Sequence, residues 1–257
     1  MFETFKLNGI EYIGQELTSG QAIKIAKYGD NRNEDAISAL ITSAFARTDG
    51  NRIDAIKMTV AQRYFFVATY LMQDELGGEF SPHLYNIGNG VLMDYIQNYQ
   101  DGDFENMKSE PFELHGQEFS FYPLLGWHAD IVERTVNRIK TDESDLAHGV
   151  ESSVLYELAC VSVQMLIDGE VNIPIDHDKT QESCQIVHRR IHAMLSHKES
   201  DFSTILSMYY SVKFNDIFNF GFCDDGICVL PREQEAGLSP VMFRAVSCLT
   251  EVSARMG

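Results

Sequence analysis

Phe5-Lys6-Leu7-Asn8-Gly9-Ile10-Glu11-Tyr12 is the stretch on which the fold turns. Apolar and polar residues alternate on both sides of Asn8-Gly9, a dipeptide whose two positions both accept positive φ. It is therefore suited to the two-residue type I′ turn of a β-hairpin. The pattern returns 107 positions on, as Phe112-Glu113-Leu114-His115-Gly116-Gln117-Glu118-Phe119, with Phe, Leu, Gly and Glu at equal spacing. After each hairpin a leucine (Leu17, Leu124) is followed five residues later by an alanine (Ala22, Ala129). Two explanations are open: related modules in tandem, or a chance likeness between two amphipathic hairpins.

Between and after the hairpins the period changes to that of a helix. Ile37, Leu40, Ile41 and Phe45 recur at helical spacing within Glu34 to Arg47, which Asp49-Gly50-Asn51 stops. Thr59 followed by Gln62 is a capping-box signature for a helix over Val60 to Leu76, stopped by Gly77-Gly78. Tyr64, Phe65, Phe66, Tyr70 and Leu71 wrap more than one face of it, as expected of a central helix. Ile87-Gly88-Asn89-Gly90 reads as a loop into a short helix over Val91 to Tyr99. Gln100-Asp101-Gly102-Asp103 reads as a polar linker. Further helices are predicted over Trp127 to Lys140, Val150 to Ile167, Thr180 to Lys198 and Phe202 to Val212. A third hairpin signal lies over Phe220 to Leu230. Ser239-Pro240 offers an N-cap and an N1 proline for a closing helix through Met256. The fold class is α+β, mostly helical with short β-hairpins. The modules are read as 1–105 and 106–257, each a hairpin followed by helices.

The 257 residues are 44% hydrophobic and 23% charged, an ordinary globular composition. No run approaches the ~20 apolar residues of a membrane span, and Met1-Phe2-Glu3-Thr4-Phe5-Lys6 lacks a signal-peptide pattern. The expectation is a soluble, cytoplasmic product without membrane contact. With 20 Lys+Arg against 38 Asp+Glu the net charge is −18, so the overall field repels phosphate backbones and argues against nucleic-acid partners. Arg189-Arg190 and Lys24/Lys27/Arg32 are the densest basic spots, and each reads as a solvated helix face. An acidic surface suits protein partners.

Five cysteines, at 160, 184, 223, 228 and 248, form no disulfide framework of the secreted kind. Cys160 and Cys248 read as small buried side chains on helices. If Asp225-Gly226 is a two-residue turn, Cys223 opposes Cys228 across the third hairpin. Cys184, His188 and His192 recur every four residues on one predicted helix and so climb one side of it. Zinc takes four such ligands, and Cys223 and Cys228 with two of the other three form the candidate set. The competing reading makes Cys184 part of the apolar stripe with Val187, Ile191 and Leu195. His177 between Asp176 and Asp178, and Asp142-Glu143-Ser144-Asp145, read as a solvated loop and a charged helix start. The phosphate-loop, dinucleotide, serine-hydrolase and zinc-protease motifs do not occur, so a catalytic reading has no anchor and a non-enzyme is expected.

Leu17-Thr18-Ser19-Gly20-Gln21-Ala22-Ile23-Lys24-Ile25, followed by Met58-Thr59-Val60-Ala61-Gln62-Arg63-Tyr64, resembles tailed-phage baseplate hub and tail assembly chaperone proteins. The likeness covers about the first 80 residues. It consists of an extended segment before helices and a Leu/Met-Thr-x-x-[Asp/Glu/Gln]-Arg step opening a core helix, here Met58 to Arg63. The resemblance implies a structural or assembly role among other tail or baseplate proteins, in the virion or the host cytoplasm, and it carries over no active site and no cofactor. Homo-oligomerisation is compatible with it. Trp127 and Tyr209-Tyr210 are the first candidates for partner contacts, with the core as the alternative for all three. The other functional readings are a helical adaptor or regulatory protein and a zinc-dependent enzyme built on Cys184, His188, His192, Cys223 and Cys228.

Overall fold

The computed structural model describes residues 3–28, 32–75, 83, 86–97, 109–141, 150–170, 173–174, 176–213, 217–223, 226–233 and 237–243. The architecture is α+β, with seven α-helices and short antiparallel sheets among the described residues. It divides into two compact units, one of Met1–Glu105, Asp216–Gly221 and Asp225–Gly257, the other of Asn106–Asn215 and Phe222–Asp224.

In the first unit β1 (Thr4–Leu7) and β2 (Ile10–Gly14) pair around Asn8 (φ 53°) and Gly9 (φ 68°). Both turn residues are left-handed, as the type I′ reading requires. Phe5 pairs with Tyr12 and Leu7 with Ile10. Thr18 then caps α1 (Ser19–Ala26) through a reciprocal box: Gln21 N donates to Thr18 Oγ1 and Thr18 N to Gln21 Oε1. Next come α2 (Asn33–Ala44) and β3 (Phe45–Arg47), which pairs with β2 in the register Tyr12–Arg47, Ile13–Ala46, Gly14–Phe45. Then α3 (Val60–Glu75) opens with the expected box: Gln62 N donates to Thr59 Oγ1 at 3.1 Å and Thr59 N to Gln62 Oε1 at 2.9 Å. The rings of Phe5, Tyr12, Phe45, Phe65 and Phe66 meet at centroid distances of 4.8–5.9 Å and form the centre of this unit.

The second unit repeats that order. β6 (Phe112–Leu114) and β7 (Gln117–Phe121) pair around His115 (φ 55°) and Gly116 (φ 79°), with Phe112 opposite Phe119. After α4 (Gly126–Thr141) and α5 (Ser152–Gln164), β8 (Met165–Ile167) pairs with β7 as Phe119–Ile167, Ser120–Leu166 and Phe121–Met165. Hydrogen bonds outside the ladders recur at matching places. Thr48 N donates to Glu11 O and Asp168 N to Glu118 O. Gln15 N donates to Ala44 O and Tyr122 N to Gln164 O. Ala22 and Ala129, the alanines of the sequence echo, are both buried. The two units thus share one order of two strands, two helices and a third strand. α6 (Thr180–Leu195) packs on α4 and α5, and α7 (Glu199–Lys213) follows.

Several expectations need correction. Residues 45–47 and 165–167 leave their helices to become third strands, because the open edges of β2 and β7 accept their backbones. Val91 to Tyr99 is not a helix of that length. Asn86–Ile87 (β4) and Gly90–Val91 (β5) form a small hairpin over Gly88 (φ 56°), and Leu92–Asp94 makes one 3₁₀ turn. A side chain at Gly90 would meet Asp94 Oδ2 at 2.9 Å and Leu238 at 3.0 Å, so those side-chain ends would have to move. The closing helix does not start at Ser239-Pro240: Val241–Phe243 is β11, paired with β10 (Gly226–Leu230), which neighbours β9 (Asn219–Cys223). β11 lies with the first unit, as do residues 217–221 and 226–230. The linker at 100–103, the acidic run at 142–145, Cys248 and the rest of the closing-helix expectation lie outside the described residues.

Candidate functional site

Each unit buries an arginine and uses it differently. Arg63, on the first turn of α3, is wholly buried. Its Nη2 donates to Glu34 O at 2.6 Å and Ser38 Oγ at 3.0 Å, and it lies 3.2 Å from Glu34 Oε2. Tyr64 donates its hydroxyl proton to Glu34 Oε1, and Asn33 Nδ2 donates to the Tyr64 oxygen, both at 3.1 Å. Burial, with the Glu34 charge added, pushes the Tyr64 hydroxyl pKa well up. Arg63 is thus a lock between α2 and α3.

Arg190, on α6, donates from Nη1 to Ser162 O at 2.7 Å and Met165 O at 2.9 Å, and from Nη2 to Glu170 Oε2 at 3.1 Å. It ties off the end of α5 where β8 begins, satisfying carbonyls that the helix leaves open. Arg190 is buried and Arg189 exposed, so the expected solvated pair holds for Arg189 alone. Position 190 falls one turn from both Val187 and Met194, which are buried, whereas Leu195, the last member of the expected stripe, is exposed.

A second buried polar pair joins α4 to the sheet. Tyr122 donates to Val163 O at 2.7 Å, so its oxygen accepts from His128 Nε2 at 3.1 Å. That fixes the neutral His128 with its proton on Nε2, and Nδ1 is buried with no partner among the described residues. Burial pushes the His128 pKa down to about 4 and raises that of Tyr122.

The candidate site is a groove of about 420 Å³ between α4 and α6. Thr135, Arg138 and Ile139 line it from α4, and Cys184, Gln185, His188 and Arg189 from α6. Two of the five candidate metal ligands, Cys184 and His188, meet here. His192, one turn on, is exposed and does not line the groove. Cys228 belongs to the other unit, on β10 between the buried Ile227 and Val229. Cys223 ends β9, and its side chain is not among those described. The expected opposition of Cys223 and Cys228 rested on Asp225-Gly226 as the turn pair, whereas Gly226 is already the first residue of β10. Among the described residues no three His, Cys, Asp or Glu side chains are grouped to hold a metal. Burial pushes the Cys184 thiol pKa up, with the Thr135 hydroxyl opposing.

The other singled-out residues serve the fold. Trp127 is fully buried and its Nε1 donates to Pro174 O at 2.7 Å. Tyr209 is buried against Phe121, and Tyr210 donates its hydroxyl to Glu157. Asp176 caps the 3₁₀ turn His177–Lys179 by accepting from Asp178 N at 3.0 Å. Cys160 is buried on α5, as expected. No helix among the described residues is long and apolar enough to cross a membrane. No family model, curated protein or solved structure matches the chain.

Proposed function

We propose that the chain is a non-enzymatic structural or assembly protein of a phage tail or baseplate, working through protein–protein contacts in the virion or the host cytoplasm. The observation that carries this reading is the work done by the resembling step. Thr59 and Gln62 close the cap of α3, and Arg63 locks α3 to α2 through Glu34 and Ser38. Every polar residue of the step is thereby committed to building the unit. A duplicated scaffold of this kind offers two related surfaces to its surroundings, which suits assembly alongside repeated subunits.

The test is native mass spectrometry of the purified chain with metal analysis of the same sample, joined to cross-linking in cells that produce the virion. A ring or small oligomer cross-linked to tail or baseplate proteins is the expected result. A monomer with no tail-protein cross-links overturns the reading. So does one zinc per chain that is lost on Cys184→Ser, which would restore the zinc-enzyme alternative.

A further inference from the structure

We infer that the α4–α6 groove binds a small carboxylate with an apolar body, the carboxylate lying against Arg189 and His188 and the body over Ile139 and the Cys184 thiol. Four observations meet at this place. First, a cavity of about 420 Å³ falls within the size range of ligand pockets and well above that of a packing defect. Second, its lining is amphipathic in the manner of such pockets. Ile139 and the protonated Cys184 give an apolar floor, while Arg189, His188 and Gln185 bring donors to one side from successive turns of α6.

Third, the donors are unspent. Arg189 has no ion-pair partner among the described residues, whereas Arg190 beside it is held by Glu170. Nor does its own helix supply one, since positions 185, 186, 192 and 193 are Gln, Ile, His and Ala. Asp130, the acidic group whose charge acts on Cys184, is itself held by Arg134 Nε at 2.8 and 2.9 Å. Fourth, Thr135 is 2% exposed and lines the groove. Its Oγ1 has no hydrogen-bond partner among the described residues beyond the weak contact of the Cys184 thiol. A buried hydroxyl left in this state carries a desolvation cost on the α4 wall of the groove. A carboxylate answers the guanidinium with two oxygens in the geometry that guanidinium prefers. On a chain of net charge −18, an unpaired arginine beside a cavity selects for an anion locally against the overall field.

The test is isothermal titration calorimetry of the full chain with hexanoate and benzoate, and with hexanamide and benzamide as neutral isosteres. One saturable site is expected, with each carboxylate bound at least about tenfold tighter than its amide, the worth of one charge-assisted hydrogen bond. Arg189 is exposed, so Arg189→Gln leaves the fold intact. It is expected to bring the carboxylates down to the level of the amides and to leave the amides unchanged. Equal binding of acid and amide, carboxylate binding insensitive to Arg189→Gln, or no saturation by either acid up to about 10 mM would overturn the assignment.

Discussion

At matching strand pairs the two units distribute their bulk differently. In the first, Gly14 of β2 is paired with Phe45 of β3; at the matching place in the second, Phe121 of β7 is paired with Met165 of β8. The ring that packs on these strands also comes from a different helix. Phe66 of α3 meets Phe5, Tyr12 and Phe45, whereas Tyr209 of α7 meets Phe121. Strand register, turn conformation and the hydrogen bonds flanking the third strand are held in common, while the side chains filling the interior are exchanged. Backbone pairing demands fixed partners residue by residue, but a core demands only volume and rotamers that fit.

The buried arginines give the largest way to sharpen this contrast. Arg63 faces the buried carboxylate of Glu34, so Arg63→Leu strands a charge and is expected to cost about 3–5 kcal/mol. Adding Glu34→Leu should recover most of that loss, as read by urea unfolding. If the double variant is as unstable as the single one, the cost lies in packing and not in the unpaired charge. Arg190 faces backbone carbonyls and the partly exposed Glu170 instead. Arg190→Leu is therefore expected to cost less, about 1.5–3 kcal/mol, with faster amide exchange at the end of α5 and in β8.

His128 gives the second unit an acid sensitivity of its own. Its pKa is about 4 when folded and 6.5 in the unfolded chain, so the unfolded chain takes up the proton first. Stability is complete above pH 6.5, falls as the pH drops toward 4, and then levels off. The loss is roughly 3 kcal/mol from 1.36 kcal/mol per pKa unit. His128→Phe is expected to flatten that slope in urea unfolding curves taken across the range. An unchanged slope would mean that another group carries the acid response. The smallest effect tests the common part of the design. Gly9→Ala and Gly116→Ala each force a Cβ into a left-handed turn position and should cost about 1 kcal/mol apiece, by nearly equal amounts. Unequal costs would mean that the two hairpins are not equivalent.

Legibility in the sequence followed the range of the interactions. The hairpins were readable because Asn8-Gly9 and His115-Gly116 carry the turn chemistry within two residues. The cap of α3 was readable because Thr59 and Gln62 satisfy one another locally. Phe45–Arg47 and Met165–Ile167 were not, because three residues continuing a helical pattern become strand only when a distant edge is present to pair with. The burial of Arg190 could be read from its place on the apolar stripe, but not the carbonyls it meets. The groove was half visible: Cys184 and His188 share one side of α6, but Thr135 and Ile139 reach them only when α4 packs alongside.

The most direct test of the duplicated scaffold is a set of cross-strand nuclear Overhauser contacts in the labelled chain. The account predicts them between the strand pairs containing Lys6–Glu11 and Ile13–Ala46, and at the same offsets between those containing Glu113–Glu118 and Ser120–Leu166. A slip of one residue in either unit would turn its apolar set to the wrong face and contradict the shared design.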